Sequence, residues 1–307
     1  MNYLPEGRLL HTPENQRACA SLPALRRAAE QGTILEGQAL VCTAGHDLTV
    51  SVGGFTGTIP REEAALGIRE GTAREIAILS RVGRPVCFVL IGFDFMGDAP
   101  RLLLSRRRAQ ERALESLLDT APGTVLPATV THLERFGAFV DIGCGVISMI
   151  GVEACSVSRI DHPAQRFVPG QEIYAVVTGT DREKGRIYLS HRELLGTWEE
   201  NAARFSPGMT VPAVVRGVMS YGTFLELSPN LTGLSDRSGG LSENERASVY
   251  IKGILPEKLK IKLIVLEKLP PLSEPEPLTY YITEGRLRRW QYTPDVCRKA
   301  RIETVFP

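Results

Sequence analysis

The stretch Phe136-Gly137-Ala138-Phe139-Val140-Asp141-Ile142-Gly143 decides how this chain folds. Successive side chains of a strand alternate between faces, so Val140 and Ile142 share one face and Phe139 and Asp141 the other. A core-facing strand needs Val140 and Ile142. It does not need two Phe three apart around a small Gly-Ala pair. On the solvent side of a twisted barrel, aromatic rings are flat platforms on which bases stack, at roughly 1–3 kcal/mol per base. Gly137 and Ala138 would then keep the surface between the rings low enough for a nucleotide to approach. The alternative places both rings in the core.

The flanking sequence supplies the frame. Residues 123–130 read as a first strand and 146–150 as a third. His162-Pro163 opens a loop, and Val168-Pro169-Gly170-Gln171 is a turn. Residues 173–177 read as a fourth strand, and a charged turn over 181–185 leads into a fifth at 186–190. Five short strands with aromatics on the second predict a five-stranded OB barrel. On Phe136-Gly-Ala-Phe139-Val, Pro169-Gly-Gln and Arg186-Ile-Tyr-Leu-Ser190, the stretch resembles the S-one RNA-binding domain, the repeated unit of small-subunit ribosomal protein S-one. The resemblance implies binding of single-stranded RNA by Phe136 and Phe139. It also implies roles for an Asp and a basic residue around the last turn, matched here by Asp181 and Arg186. The family's His after the third strand is replaced by Gly151, and His191, which follows the final strand, is expected to edge the binding face.

The frame recurs on either side. Arg101-Leu102-Leu103-Leu104-Ser105 precedes the matching Arg186–Ser190 by 85 positions, and Tyr221-Gly222-Thr223-Phe224 follows Phe136–Phe139 by the same offset. A fixed period of this kind argues for duplication. In the third copy, Tyr221 and Phe224 are a second candidate platform. Lys258-Leu259-Lys260-Ile261-Lys262-Leu263 alternates basic and apolar, which predicts three Lys on one side of a strand. Lys260 and Lys262 are therefore candidate phosphate contacts. The connection between Leu234 and Val249 is rich in Ser, Gly and Glu, as loops are. The closing Leu-Ser of the other copies is lost, so a different closure is expected. In the first copy, His46 and Thr49 stand where the platform would be, and the resemblance implies docking or a structural role.

The rest of the chain carries less chemistry. Thr12-Pro13-Glu14-Asn15 is a helix start, with Thr as cap and Pro in the first turn. Arg106-Arg107-Arg108 opens a second helical stripe with Leu114, Leu117 and Leu118, and could touch phosphates. Pro270 to Pro277 is a stiff extended linker. Tyr280-Tyr281-Ile282-Thr283, Glu284-Gly285 and 286–292 read as a hairpin. Its Arg286, Arg288, Trp290 and Tyr292 share one face, which suits either RNA or packing on the third barrel.

These observations predict a mainly β protein of three tandem OB-fold (five-stranded Greek-key) barrels, with short linking helices and a C-terminal hairpin. Its parts are an N-terminal helical arm (1–31), a first degenerate repeat (32–108), a linker helix (109–121) and the central RNA-binding repeat (122–193). A linker (194–204), a third repeat (205–269) and a Pro-rich linker with the basic-aromatic hairpin (270–307) complete it. With 307 residues and 43% hydrophobic content, the chain can bury several cores. A formal charge of +1 argues against wrapping a duplex, and less against a strand binder that relies on stacking. The six Cys show no C-x-x-C pairing and no His at ligand spacing, so reduced thiols of a cytoplasmic protein are expected. No leader pattern, membrane-length apolar run, phosphate loop, nucleophile elbow or metal cluster is recognised. The expectation is a non-enzymatic protein without cofactor, similar to a shortened ribosomal protein S-one. Its expected partners are single-stranded RNA, messenger RNA first, and the small ribosomal subunit. A protein-interaction scaffold and the RNA-binding subunit of a processing assembly are the alternatives.

Overall fold

The structure is a computed structural model that describes residues 3–95, 100–236, 240–272 and 276–307. The chain packs as two units. One holds residues 1–119 with the segments 141–147 and 182–185, and the other holds 120–140, 148–181 and 186–307.

In the first unit, Thr12 caps α1 (Pro13–Cys19), and α2 (Leu22–Gln31) ends at Gly32 in the left-handed conformation. β1 (Leu35–Cys42), β2 (Leu48–Val52) and β3 (Phe55–Ile59) follow. Next come α3 (Ile76–Leu79), β4 (Pro85–Asp94), β5 (Arg101–Ser105) and α4 (Arg106–Leu118). The strands close a barrel in the order β1-β2-β3-β5-β4 around Leu35, Val50, Ile59, Phe88, Leu102 and Leu104.

Helix α4 packs on β4 and buries Ala109, Ala113 and Leu117. The first two of its three opening arginines are not free for phosphates. Arg106 is buried and grips Glu6 through Nε at 2.6 Å and Nη2 at 2.9 Å, and Arg107 pairs with Glu63 at 2.8 Å. Asp141, expected on the solvent side, is buried in this unit too. It accepts the N–H groups of Glu6, Gly143 and Gly145 at 2.8, 2.9 and 3.0 Å. Burial, with Glu6 beside it, pushes its carboxyl up to about 7.

The central barrel comprises β6 (Val125–Glu134), β7 (Gly137–Asp141), β8 (Ile147–Gly151), β9 (Glu172–Asp181) and β10 (Arg186–Ser190), closed in the order β10-β8-β7-β6-β9. That is the cyclic order of the first barrel. Gly137 is needed because strands approach closely there. A Cβ would sit 2.6 Å from the Ile150 carbonyl oxygen and 2.9 Å from Met149 Cγ. Gly137 and Ala138 are both buried, so strand packing, rather than access for a nucleotide, sets their size. Gly222, 85 residues on, meets the Ser235 carbonyl oxygen at 2.5 Å in the same way.

After the central barrel, Thr197 and Glu200 form a capping box on α5 (Trp198–Ala202), and Trp198 is buried in the core of the third barrel. The segment read as a linker is thus part of a core. β11 (Thr210–Met219), β12 (Gly222–Ser228), β13 (Leu231–Ser235), β14 (Arg246–Leu255) and β15 (Lys260–Leu269) close in the same cyclic order as the other two barrels. β15 runs parallel to β13 and antiparallel to β14, so the lost Leu-Ser ending does not change the closure. Of the connection between Leu234 and Val249, residues 237–239 lie outside the described residues, as do 273–275 of the Pro-rich stretch.

The C-terminal hairpin pairs β16 (Arg289–Gln291) with β17 (Glu303–Val305), not the strands expected around Glu284-Gly285. Trp290 and Tyr292 are buried against the third barrel, where Tyr292 donates to the Asn230 carbonyl at 2.7 Å. Arg286 donates to the Pro122 and Pro307 carbonyls. The face expected to be basic and aromatic is therefore mostly spent on packing.

Candidate nucleic-acid interface

The central platform is built on β7 and the turn before it. Val140 and Ile142 are buried, which sends Phe139 outward by the two-residue period. Phe136 is 57% exposed, and its ring meets that of Phe139 edge-on at 5.9 Å and 83°. Neither ring belongs to the core. The sequence reading missed His132, which is exposed on neighbouring β6 and lies flat on Phe139 at 4.2 Å and 7°. Tyr188 on β10, 47% exposed and directly opposite Met149 on β8, continues this outer face and was also missed. Alternation on β10 gave the signal: Ile187 and Leu189 are buried, so Arg186 and Tyr188 face out.

Arg186 and Asp181 stand opposite each other at the β9–β10 turn. Arg186 is exposed and lies two residues along the same face from Tyr188. His191, expected to edge the binding face, is fully buried. It contacts the Cys155 carbonyl at 2.7 Å and the Tyr280 hydroxyl at 2.9 Å, and burial lowers its pKa to about 4.

The third barrel repeats the platform. Tyr221 is 64% exposed and meets Phe224 edge-on at 6.1 Å and 88°. Phe224 and Lys260 line one cleft of about 790 Å³. Lys262 is exposed on β15 opposite Leu234, and neither it nor Tyr221 lines that cleft. Lys258 is not on the strand with the other two. It ends a 3-10 turn, and Leu259 then adopts a left-handed φ of 49° before β15 begins.

In the first barrel, His46 lies 3.1 Å from Glu75, which also pairs with Arg61, and Thr49 offers no ring. An aromatic pair does occur elsewhere in that unit. Phe93 and Phe95 stack at 6.1 Å at the end of β4, with the Arg26 guanidinium within 6 Å of both rings. Among the described residues, no group of His, Cys, Asp and Glu is arranged to hold a metal, and no helix is long and apolar enough to cross a membrane.

The S1 RNA binding domain family matches residues 119–192. The small ribosomal subunit protein bS1 of Leuconostoc lactis is 32% identical over 189 residues, covering 55% of this chain and 44% of that protein. The bS1 homolog of Bacillus subtilis is 28% identical over 221 residues, 66% of this chain and 57% of that one. The chain thus spans about half the length of these relatives. A solved multidomain protein with nucleic acid binding domains from Streptococcus pneumoniae covers 76% of this chain at 16% identity. The TM-score between the two is 0.27.

Proposed function

We propose that this protein, with an S1 RNA binding domain at residues 119–192, holds single-stranded RNA on its central and third barrels with little sequence specificity. One observation carries the reading. Two aromatic pairs, Phe136/Phe139 and Tyr221/Phe224, each with one exposed and one half-exposed ring, recur 85 residues apart with nearly the same edge-on geometry. Every base has a π-face, so stacking accepts any sequence, and only an unpaired strand exposes its bases to it. Arg186, Lys260 and Lys262 add phosphate contacts that do not read sequence. Asp181 stands beside Arg186 at the end of the central face. The chain acts by binding and performs no chemical step. The name of its relatives supports the small ribosomal subunit as partner, and the reading takes messenger RNA as the strand held and the cytoplasm as its place. The first barrel serves docking or structure.

The test is binding of an oligouridylate and of duplex DNA by the full chain. Phe139→Ala should weaken oligouridylate binding by roughly 1–3 kcal/mol without lowering thermal stability by more than about 1 kcal/mol. Unchanged binding, or equal affinity for the duplex, would sink the proposal. Arg186→Gln should weaken binding about equally across sequences and flatten the logarithmic salt dependence by about 0.7.

A further inference from the structure

The cleft of about 790 Å³ beside Phe224 has two banks, and only one belongs to the third barrel. On that bank are Phe224, Thr232, Lys258 and Lys260. The other is the segment 157–161, which follows the central barrel's third strand and contributes Arg159.

This segment is pinned in place. Val157 N–H donates to Asn230 Oδ1 at 2.9 Å, and Ser158 N–H to the Pro229 carbonyl at 3.0 Å. Ser158 Oγ and Thr232 Oγ1 lie 2.8 Å apart. All three bonds run to the turn between β12 and β13 or the strand just after it, so the docking is local and rigid. It holds an exposed Arg159 across from Lys258 and Lys260. None of these three cations makes an ion pair among the described residues, whereas Arg216, which also borders the cleft, is bound to Glu226 at 2.8 Å. The left-handed Leu259 between the two lysines is an uncommon conformation for a bulky residue. It lets Lys258 and Lys260 line the same cleft although one lies in a turn and the other on a strand.

We infer that the 157–161 segment of the central domain completes the third barrel's binding site, with Arg159, Lys258 and Lys260 clamping the phosphates of an RNA strand whose base stacks on Phe224. The inference rests on the RNA-binding reading above and deepens it. The two domains share this site, and the Phe136/Phe139 platform lies outside it. A phosphate suits this arrangement because three unpaired cations converge on a space already walled by an aromatic ring and a hydroxyl. Asp161 and Glu243, the cleft's two free acids, leave its charge positive.

The experiment measures oligouridylate binding by the full chain carrying Arg159→Gln, Lys258→Gln, Arg159→Lys or, as a control, Lys252→Gln. Lys252 is exposed on β14 outside the cleft. Arg159→Gln and Lys258→Gln should each weaken binding about 3- to 10-fold and flatten the salt slope by about 0.7, the value for one phosphate contact on a single strand. Arg159→Lys should retain most of the affinity, and Lys252→Gln should change it less than either cleft variant. If Phe139→Ala weakens binding while Arg159→Gln does not, or if Lys252→Gln costs as much as Arg159→Gln, the shared site is wrong and the RNA-binding reading stands. If the unaltered chain binds no oligouridylate, that reading falls and this one with it.

Discussion

His191 is held neutral inside the central domain, between the Cys155 carbonyl, the Tyr280 hydroxyl and the edge of Phe167, with the Arg166 charge nearby. Its pKa falls from 6.5 to about 4, chiefly by burial. The unfolded chain therefore binds a proton that the folded chain refuses. Stability is fully present above pH 6.5 and is lost as pH falls toward 4, by roughly 3 kcal/mol in all. Chemical denaturation at pH 7, 6, 5 and 4 should show a shallower decline for His191→Gln than for the unaltered chain, and parallel curves would refute this. From sequence, His191 looked like a rim residue because it follows a strand whose outer face was read as functional. The Tyr280 that buries it lies 89 positions away, and local pattern carries no trace of it. The same limit hid His132. Phe136 and Phe139 were legible from their own spacing, but the ring that lies on Phe139 arrives from an adjacent strand whose register the sequence does not print.

Among elements, the join between the 163–167 turn and the third barrel is ionic. Arg166 donates from Nη2 to Glu226 Oε2 at 2.5 Å and from Nε to Ser156 Oγ at 2.9 Å, and Arg216 donates from Nε to the same carboxylate oxygen at 2.8 Å. All three charged side chains are at least nine-tenths buried. Two cations share one anion, so Glu226→Gln would leave both largely buried guanidinium groups without a counter-charge. A cost of roughly 3–5 kcal/mol is expected for such a loss. Urea unfolding should show it, and a change under about 1 kcal/mol would mean that water reaches the pair. The barrel strands were legible to within a few residues, since apolar alternation and Gly or Pro turns are local signals. Arg186–Ser190 and Arg101–Ser105 were placed to the residue. The C-terminal hairpin was misplaced because its strands are three residues each, too short to show a period, and Trp290 and Tyr292 are held by the third barrel rather than by each other.

For the whole molecule, the sequence period of 85 is also a geometric one. Three barrels share one strand order, yet only two carry the platform. The first barrel has Thr49 where the others carry a Phe, and its His46 is held by Glu75. Its residues 32–108 carry nine Lys and Arg against eight Asp and Glu, so charge does not compensate for lost stacking. The stacking share of RNA affinity should then come chiefly from Phe136, Phe139, Tyr221 and Phe224. The full chain with all four changed to Ala is the fitting probe, because residues 280–292 pack on the central and third barrels and a fragment cut at 270 would strip both. Removing stacking from two platforms, at roughly 1–3 kcal/mol per base, predicts at least a 30-fold loss of oligouridylate affinity at near-physiological salt. What remains should be the weak, steeply salt-dependent binding of scattered cations. The changed rings are solvent-exposed or half-exposed, so melting should move little. A quadruple variant that melts normally and still binds within about tenfold of the unaltered chain would place the RNA elsewhere, with the Phe93–Phe95 stack beside Arg26 as the first surface to mutate next.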